Sequence, residues 1–333
     1  RKQIVRTYVA QGMTVERATS FAAIPRSSYY YKPSNGKKGP GPSCYTWKGN
    51  AQVPNEEVVK RIVEILAEEF IDYGYHRTTA ALRKEGFLIN PKKVYRLMKE
   101  HYLLQPRKRI RPANRQFVKY VSPLAEYPFH VIEVDIKYVY IAGSCRNCYL
   151  ITLLDVFSRH ALEWVLAPDM KTHRVDQLIN QLIDNWLVPM GIDPKLICLY
   201  IRSDNGPQFI SLAFRQKLHQ CNLSQEYIHP GTPQENGHIE AFHHTVEKLI
   251  CSKYCFASIN DAIQVFTRFF DTYNNKRIMK AILHLTPMEM LINYYSGKIG
   301  VKLNEKKKQA YYFKEEPKEK SNGPSLEVLF GFF

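Results

Sequence analysis

The stretch "LICLYIRSDNGPQFIS" (196–211) decides the fold. Leu196, Ile197, Leu199 and Ile201 fall within six residues and read as a buried strand. That strand ends abruptly in Ser203-Asp204-Asn205-Gly206-Pro207, a turn signature. A buried strand that delivers a carboxylate and a tight turn to its own C-terminal end supplies a rigid rod with an acid exposed at its rim.

Working outward, "HVIEVDIKYVYIAG", "CYLITLLDVF" and "HALEWVLA" read as three strands joined by Gly, Ser and Asn turns, hence an antiparallel meander. An amphipathic helix spans 174–191. After the opening strand come a helix ("SLAFRQKLHQC"), a short strand ("LSQEYI") and a long helix from about Gln234 to Ile250. This order describes a mixed α/β sheet. A right-handed crossover would make the first and fourth strands neighbours. Asp135, mid-strand in "VIEVDIKYV", would then meet Asp204 at one edge of the sheet. Glu240 lies one position off the stripe Ile239, Phe242, Val246 and Leu249, at the border of core and solvent. Three acids brought together repel and raise one another's pKa, which a divalent cation offsets; all-oxygen ligation suits Mg²⁺ or Mn²⁺. Glu133, on the same strand face, competes with Asp135 for the first position, and Asp155 in "LLDVFSR" reads as a turn or capping residue.

Upstream, residues 1–31 are helical in pattern and compatible with a helix-turn-helix, and 32–54 read as a linker around "KPSNGKKGPGPS". A second helix-turn-helix candidate spans 55–105; Asn90 caps its last helix, Pro91 opens it, and Lys92, Lys93, Arg96 and Lys99 decorate it. The run "PRKRIRPANR" (106–115) holds five Arg or Lys, including Arg107, Lys108, Arg109 and Arg111, inside a basic linker taken as 106–128. A catalytic core is expected over 129–295, a charged tail over 296–324, and "SLEVLFGFF" (325–333) resembles a tag remnant and is set aside. With 47 Lys and Arg against 31 Asp and Glu the net charge is +16, which points to a polyanionic partner. No apolar run is long enough for a membrane span, residues 1–20 carry no secretory pattern, and no Met begins the chain, as expected of a trimmed or processed one. Seven scattered Cys do not form a disulfide framework, which favours a reducing, intracellular setting. A zinc site at Cys145 and Cys148 is conceivable, but their flanks read as strand, turn, strand, so a hairpin loop is preferred.

The segments "VDIKYV", "LLDVFSRHALEW", "IRSDNGPQF" and "HPGTPQENGHIEAFHHTVEKLI" resemble the catalytic core of the DDE transposase and retroviral-integrase superfamily. Thirty-five residues separate Asp204 from Glu240, as that family expects. "YGYHRTTAALRKEGFLINPKKVYRLMKEHYLL" is similar to the helix-turn-helix segment of OrfAB-type insertion-sequence transposases. The resemblance implies a ribonuclease H-like fold with helical DNA-binding modules before it. It assigns Asp135, Asp204 and Glu240 to catalysis and metal ligation, with two Mg²⁺ or Mn²⁺ ions expected. It has Asn205 and Gly206 shape the turn, and places Gln234, Asn236, His243 and His244 where relatives approach DNA. It further implies metal-dependent 3′-end cleavage and strand transfer at terminal repeats, double-stranded DNA as partner, a homo-oligomer, and a bacterial, nucleoid-associated location. A retroelement integrase and a non-catalytic domesticated DNA-binding protein are the alternatives. The family's Arg-Pro-His run is replaced here by Arg277-Ile278-Met279 within "YNNKRIMKAILHLTPMEML" (273–291), which leaves the role of that segment open.

Overall fold

The computed structural model describes residues 1–31, 41–105, 125–228, 233–303 and 309–314. They form two compact units, Arg1–Tyr45 and Thr46–Phe333. The first unit contains three short helices, α1 (Lys2–Ala10), α2 (Val15–Phe21) and α3 (Arg26–Tyr30).

The second unit begins with structure where the sequence suggested a linker. Strands β1 (Tyr45–Lys48) and β2 (Ala51–Pro54) flank a turn at Gly49, whose φ of +55° is the left-handed conformation that glycine adopts freely. Helices α4 (Asn55–Ala67) and α5 (Tyr75–Lys84) follow, then the two-residue strand β3 (Phe87–Leu88) and helix α6 (Pro91–Glu100). The strands form a small sheet in the order β2-β1-β3. The Asn90 side chain accepts from the Lys92 N–H and Pro91 occupies the first turn, so the expected start of α6 holds. Val58, Ile62, Leu82, Val94, Leu97 and Met98 close one apolar core among the three helices. Fully burying each such side chain contributes roughly 1.5–3 kcal/mol before conformational entropy is charged against it.

The central sheet has five strands in the order β6-β5-β4-β7-β8. β4 (Val131–Ile141), β5 (Arg146–Asp155) and β6 (Ala161–Ala167) are the expected antiparallel meander. After helix α7 (Thr172–Leu182), strand β7 (Tyr200–Ser203) returns parallel to β4. Helices α8 (Pro207–Ile210) and α9 (Leu212–Gln220) lead to β8 (Ser224–Tyr227), parallel to β7. The mixed α/β class read from the sequence is the observed one. One boundary moves: Leu196 and Ile197 are exposed and lie before β7, while Leu199 and Ile201 are buried. The reason is pairing, since β7 can only run beside its neighbour, and β4 starts at Val131, which pairs with Tyr200.

Helices cover both faces. Ile132, Val134, Ile151 and Leu153 pack against α7 and α9, whereas Val139, Leu150 and Leu154 pack against α10 (Gly237–Val246) and α11 (Ile259–Asp271). Alternation along each strand sends neighbouring residues to opposite layers. A π-helical turn, Glu247–Cys251, continues α10. Helix α12 (Pro287–Tyr295) carries a capping box between Thr286 and Glu289. The segment after it was expected to be a charged tail, but β9 (Ile299–Leu303) and β10 (Gln309–Phe313) pair antiparallel, and Tyr311 stacks edge-on against Phe157 and donates to its carbonyl. Alternating Ile, Val, Tyr and Phe make these short runs strands despite the lysines between them.

The helix-turn-helix region and the sheet are joined through Asp72, which binds Arg277 at 2.7 Å, Arg77 at 3.5 Å and Lys248. Arg277 also donates to the Phe70 carbonyl, and the Tyr73 hydroxyl accepts from the Ile278 N–H and donates to the Lys276 carbonyl. The Arg277-Ile278-Met279 run, unassigned by sequence, therefore helps to fasten one module to the other. No described helix is long and apolar enough to cross a membrane.

Candidate active site

The parallel register fixes the first two acids. Ile132 pairs with Ile201 and Glu133 with Arg202, so continuing the ladder sets Asp135 opposite Asp204, one residue beyond the end of β7. The Asp204 carboxylate accepts from the Gly206 N–H at 2.9 Å, and Asn205 donates to the Ile228 carbonyl. A Cβ on Gly206 would clash with Gln208 Nε2 and lie 2.9 Å from that same Asp204 oxygen, so a larger residue would displace both side chains.

The third acid arrives on α10, which lies along β4 in the same direction. Glu133 accepts from the Ile239 N–H at 2.7 Å, Asp135 sits 3.2 Å from His243 Nδ1, and Lys137 pairs with Glu247 at 2.8 Å. Two strand residues advance about 6.6 Å and four helix residues about 6 Å, so the two periods match and three consecutive rungs form. Glu240 follows Ile239 directly and is exposed, while Ile239, Phe242, Val246 and Leu249 are buried, as the stripe predicts.

Electrostatics tie the acids together. Burial and the nearby Asp135 raise the Asp204 carboxyl above its ordinary value, against the Gly206 amide. Burial and Asp135 likewise raise Glu240, against His243. Both directions are those of negative groups short of compensating charge. Among the described residues, no three His, Cys, Asp or Glu side chains converge closely enough to hold a metal ion, and this includes the trio.

Other expected residues separate into groups. Glu133 is completely buried and holds α10 and Arg202 rather than facing the rim, so it does not replace Asp135. Burial pushes it up to about 7, against the pull of the Ile239 amide and Arg202. Asp155 organises a turn, accepting from the Phe129 and Ser158 N–H groups and the Ser158 hydroxyl. His243 is a correction: it is buried and turned to Asp135, not to a DNA face, because it stands three residues after Glu240 on the side of α10 that meets β4. Asn236 is also buried, so its side chain does not lie on the face expected to approach DNA; packing at the start of α10 encloses it. His244 and Lys92 are exposed, and Lys93 and Arg96 are half-buried. Arg107, Lys108, Arg109 and Arg111 lie outside the described residues, as does the side chain of Gln234. Cys148 is buried in β5 and Cys145 is exposed in the hairpin turn, and all seven cysteines are free.

Sequence reasoning missed the pairing of Glu133 with Arg202. Their opposite charges, each two residues before Asp135 or Asp204, are visible in the sequence, but pairing them needs the β4–β7 register.

The sequence is similar to known families and proteins. The model of an HTH-like domain matches residues 54–111, and models of an integrase core domain match residues 125–233 and 222–287. The chain is 29% identical over 238 residues to the insertion element IS407 uncharacterized 31.7 kDa protein of Burkholderia multivorans, covering 71% of this chain and 80% of that one. It is 25% identical over 284 residues to the putative transposase InsK for insertion sequence element IS150 of Escherichia coli, covering 84% and 93%. Among solved structures, the catalytic core domain of BIV integrase superposes with a TM-score of 0.37 at 17% identity, over 51% of this chain and 98% of that one. The chain thus carries an HTH-like domain and an integrase core domain, and its homologues are insertion-sequence transposases.

Proposed function

We propose that this chain is a DDE-type polynucleotidyl transferase that binds the terminal repeats of a DNA insertion sequence, cleaves their 3′ ends and joins them to target DNA. The observation that supports the reading is that Asp135 on β4 acts electrostatically on both Asp204, beyond β7, and Glu240, on α10.

The integrase core family is metal-dependent, and the donor chemistry here suits a hard divalent cation, three carboxylates with two of them raised by burial and by Asp135, although their spacing in this structure is too wide to ligate one as they stand. Asp135, Asp204 and Glu240 would hold Mg²⁺ or Mn²⁺, two ions by analogy with other phosphoryl-transfer sites, supplying Lewis-acid stabilisation of charge on the phosphate. The chain's own contribution is positional. The Asp204-Asn205-Gly206 turn fixes one carboxylate, β4 fixes a second, and His243 orients Asp135 by donating from Nδ1 when the proton resides there. The α4–α6 module and the basic run after it would grip duplex DNA through Lys and Arg contacts to phosphates. Holding two element ends requires more than one protein copy, and the partner DNA places the protein at the bacterial nucleoid.

The test is incubation of the protein with end-labelled element-end DNA. Nicked and joined products are expected in Mg²⁺ or Mn²⁺ and none in excess EDTA. Full activity in EDTA would sink the reading.

A further inference from the structure

One buried group touches all three acid-bearing elements. Glu133 lies two residues before Asp135 on β4, and Arg202 lies two residues before Asp204 on β7. Ile239 lies one residue before Glu240 on α10. Glu133 Oε2 accepts the Ile239 N–H at 2.7 Å, and its Oε1 lies 3.4 Å from the Arg202 guanidinium. Arg202 continues to Glu226 on β8 at 2.8 Å and to the Glu235 carbonyl, just before α10, at 3.2 Å. The Glu133 and Arg202 side chains are 0% and 4% exposed.

The placement is unusual for structural glue. A buried ion pair is weak support for stability, because desolvating two charges offsets most of their attraction. Apolar residues would cover this position at less cost. What apolar contacts lack is direction. An amide N–H held by a carboxylate and a guanidinium shared among acceptors on β4, on β8 and just before α10 fix orientation as well as distance. The remaining rungs between α10 and β4 lie at or beyond the acids, so Glu133 is the anchor at the end where Glu240 enters.

We propose that Glu133 and Arg202 are positioning residues that set the spacing of the three carboxylates, by bolting β4, β7 and the start of α10 to one buried point. They touch no reacting atom. The inference rests on the reading of Asp135, Asp204 and Glu240 as the active site, and a displacement of about 1 Å at such a site costs about 100-fold in rate.

Glu133→Ala removes the acceptor of the Ile239 amide, whereas Glu133→Gln keeps one. We expect Glu133→Ala to lower kcat for end cleavage about 100-fold at unchanged KM for DNA, and Glu133→Gln to recover most of that loss. Hydrogen exchange at residues 237–243 should quicken in Glu133→Ala and stay near wild type in Glu133→Gln, a readout that needs neither metal nor activity. Unchanged kcat and exchange in a folded Glu133→Ala protein would overturn the proposal. If that variant does not fold, Arg202→Lys carries the test, since one ammonium cannot span Glu133, Glu226 and the Glu235 carbonyl. The same kcat loss at constant KM supports the proposal, and wild-type kcat overturns it. Asp204→Asn run alongside separates the two levels: a fully active Asp204→Asn removes the site itself, whereas an inactive one beside a wild-type-like Glu133→Ala removes only the positioning role.

Discussion

Asp72 and Asp204 are both partly buried aspartates at the ends of local elements, and their surroundings are opposite. Three cations, Arg277, Arg77 and Lys248, surround Asp72. Burial alone would raise its carboxyl, yet those cations, Arg277 foremost, hold it below the ordinary value. Asp204 is raised by burial, and its charged neighbour Asp135 raises it further. One cluster is overcompensated by protein charge and fastens two modules. The other is undercompensated and suits a ligand the protein does not itself supply. The two carboxyls shift in opposite directions, Asp72 lowered by its cations against burial and Asp204 raised by burial and by Asp135.

The same chemical change at both positions should therefore give unlike results. Asp72→Asn leaves Arg277, 7% exposed, without its counter-charge, and is expected to cost about 3 kcal/mol or more in denaturant unfolding. Asp204→Asn keeps an acceptor for the Gly206 amide and removes repulsion, so its stability should equal or exceed that of the wild type. Equal losses at the two positions would erase the distinction.

A smaller effect is expected from divalent cations. At a hundredfold excess over its Kd, Mg²⁺ binding only the folded state contributes about 2.7 kcal/mol. Thermal melting should show that gain in the wild type and in a folded Asp72 variant, and not in Asp204→Asn. A gain that survives Asp204→Asn would place the cation elsewhere.

The smallest effect concerns pH. Glu133 is raised from 4.5 to about 7, so its protonated form favours the folded state. Its contribution is fully present below pH 4.5 and is lost as pH rises through about 7. Glu133→Gln has no such titration. Its unfolding free energy relative to the wild type should therefore climb between pH 5 and pH 7, by at most about 1.4 kcal/mol per pH unit. A flat difference would show that Glu133 is charged throughout. Asp72 has the opposite sign, its stabilisation being present above its ordinary pKa and lost as pH falls through the depressed one.

Much of this organisation was legible in the sequence where one residue pattern had one physical meaning. β4, β5 and β6 alternate or run apolar between turn residues, and the stripe of α10 has a single helical reading. Asp204 was singled out only together with Asp135 and Glu240, since a strand-end Asp before Asn-Gly is often just a turn former. Short elements were less so: β1, β2, β9 and β10 lie among Gly, Pro and Lys and are strands because of their partners. His243 was misread because helix phase relative to Asp135 depends on how α10 lies on β4. The Glu133–Arg202 pair required the β4–β7 register, which one chain read linearly does not contain.

The central claim is that Asp135, Asp204 and Glu240 form one catalytic unit. The most direct measurement is the end-cleavage rate of Asp135→Asn, Asp204→Asn and Glu240→Gln beside the wild type in Mg²⁺, with DNA affinity measured on the same samples. Each single variant should lose at least about 1,000-fold in rate while binding DNA as the wild type does, because the loss belongs to a unit that one missing carboxylate disables. Any one of the three variants cleaving at the wild-type rate would contradict the account.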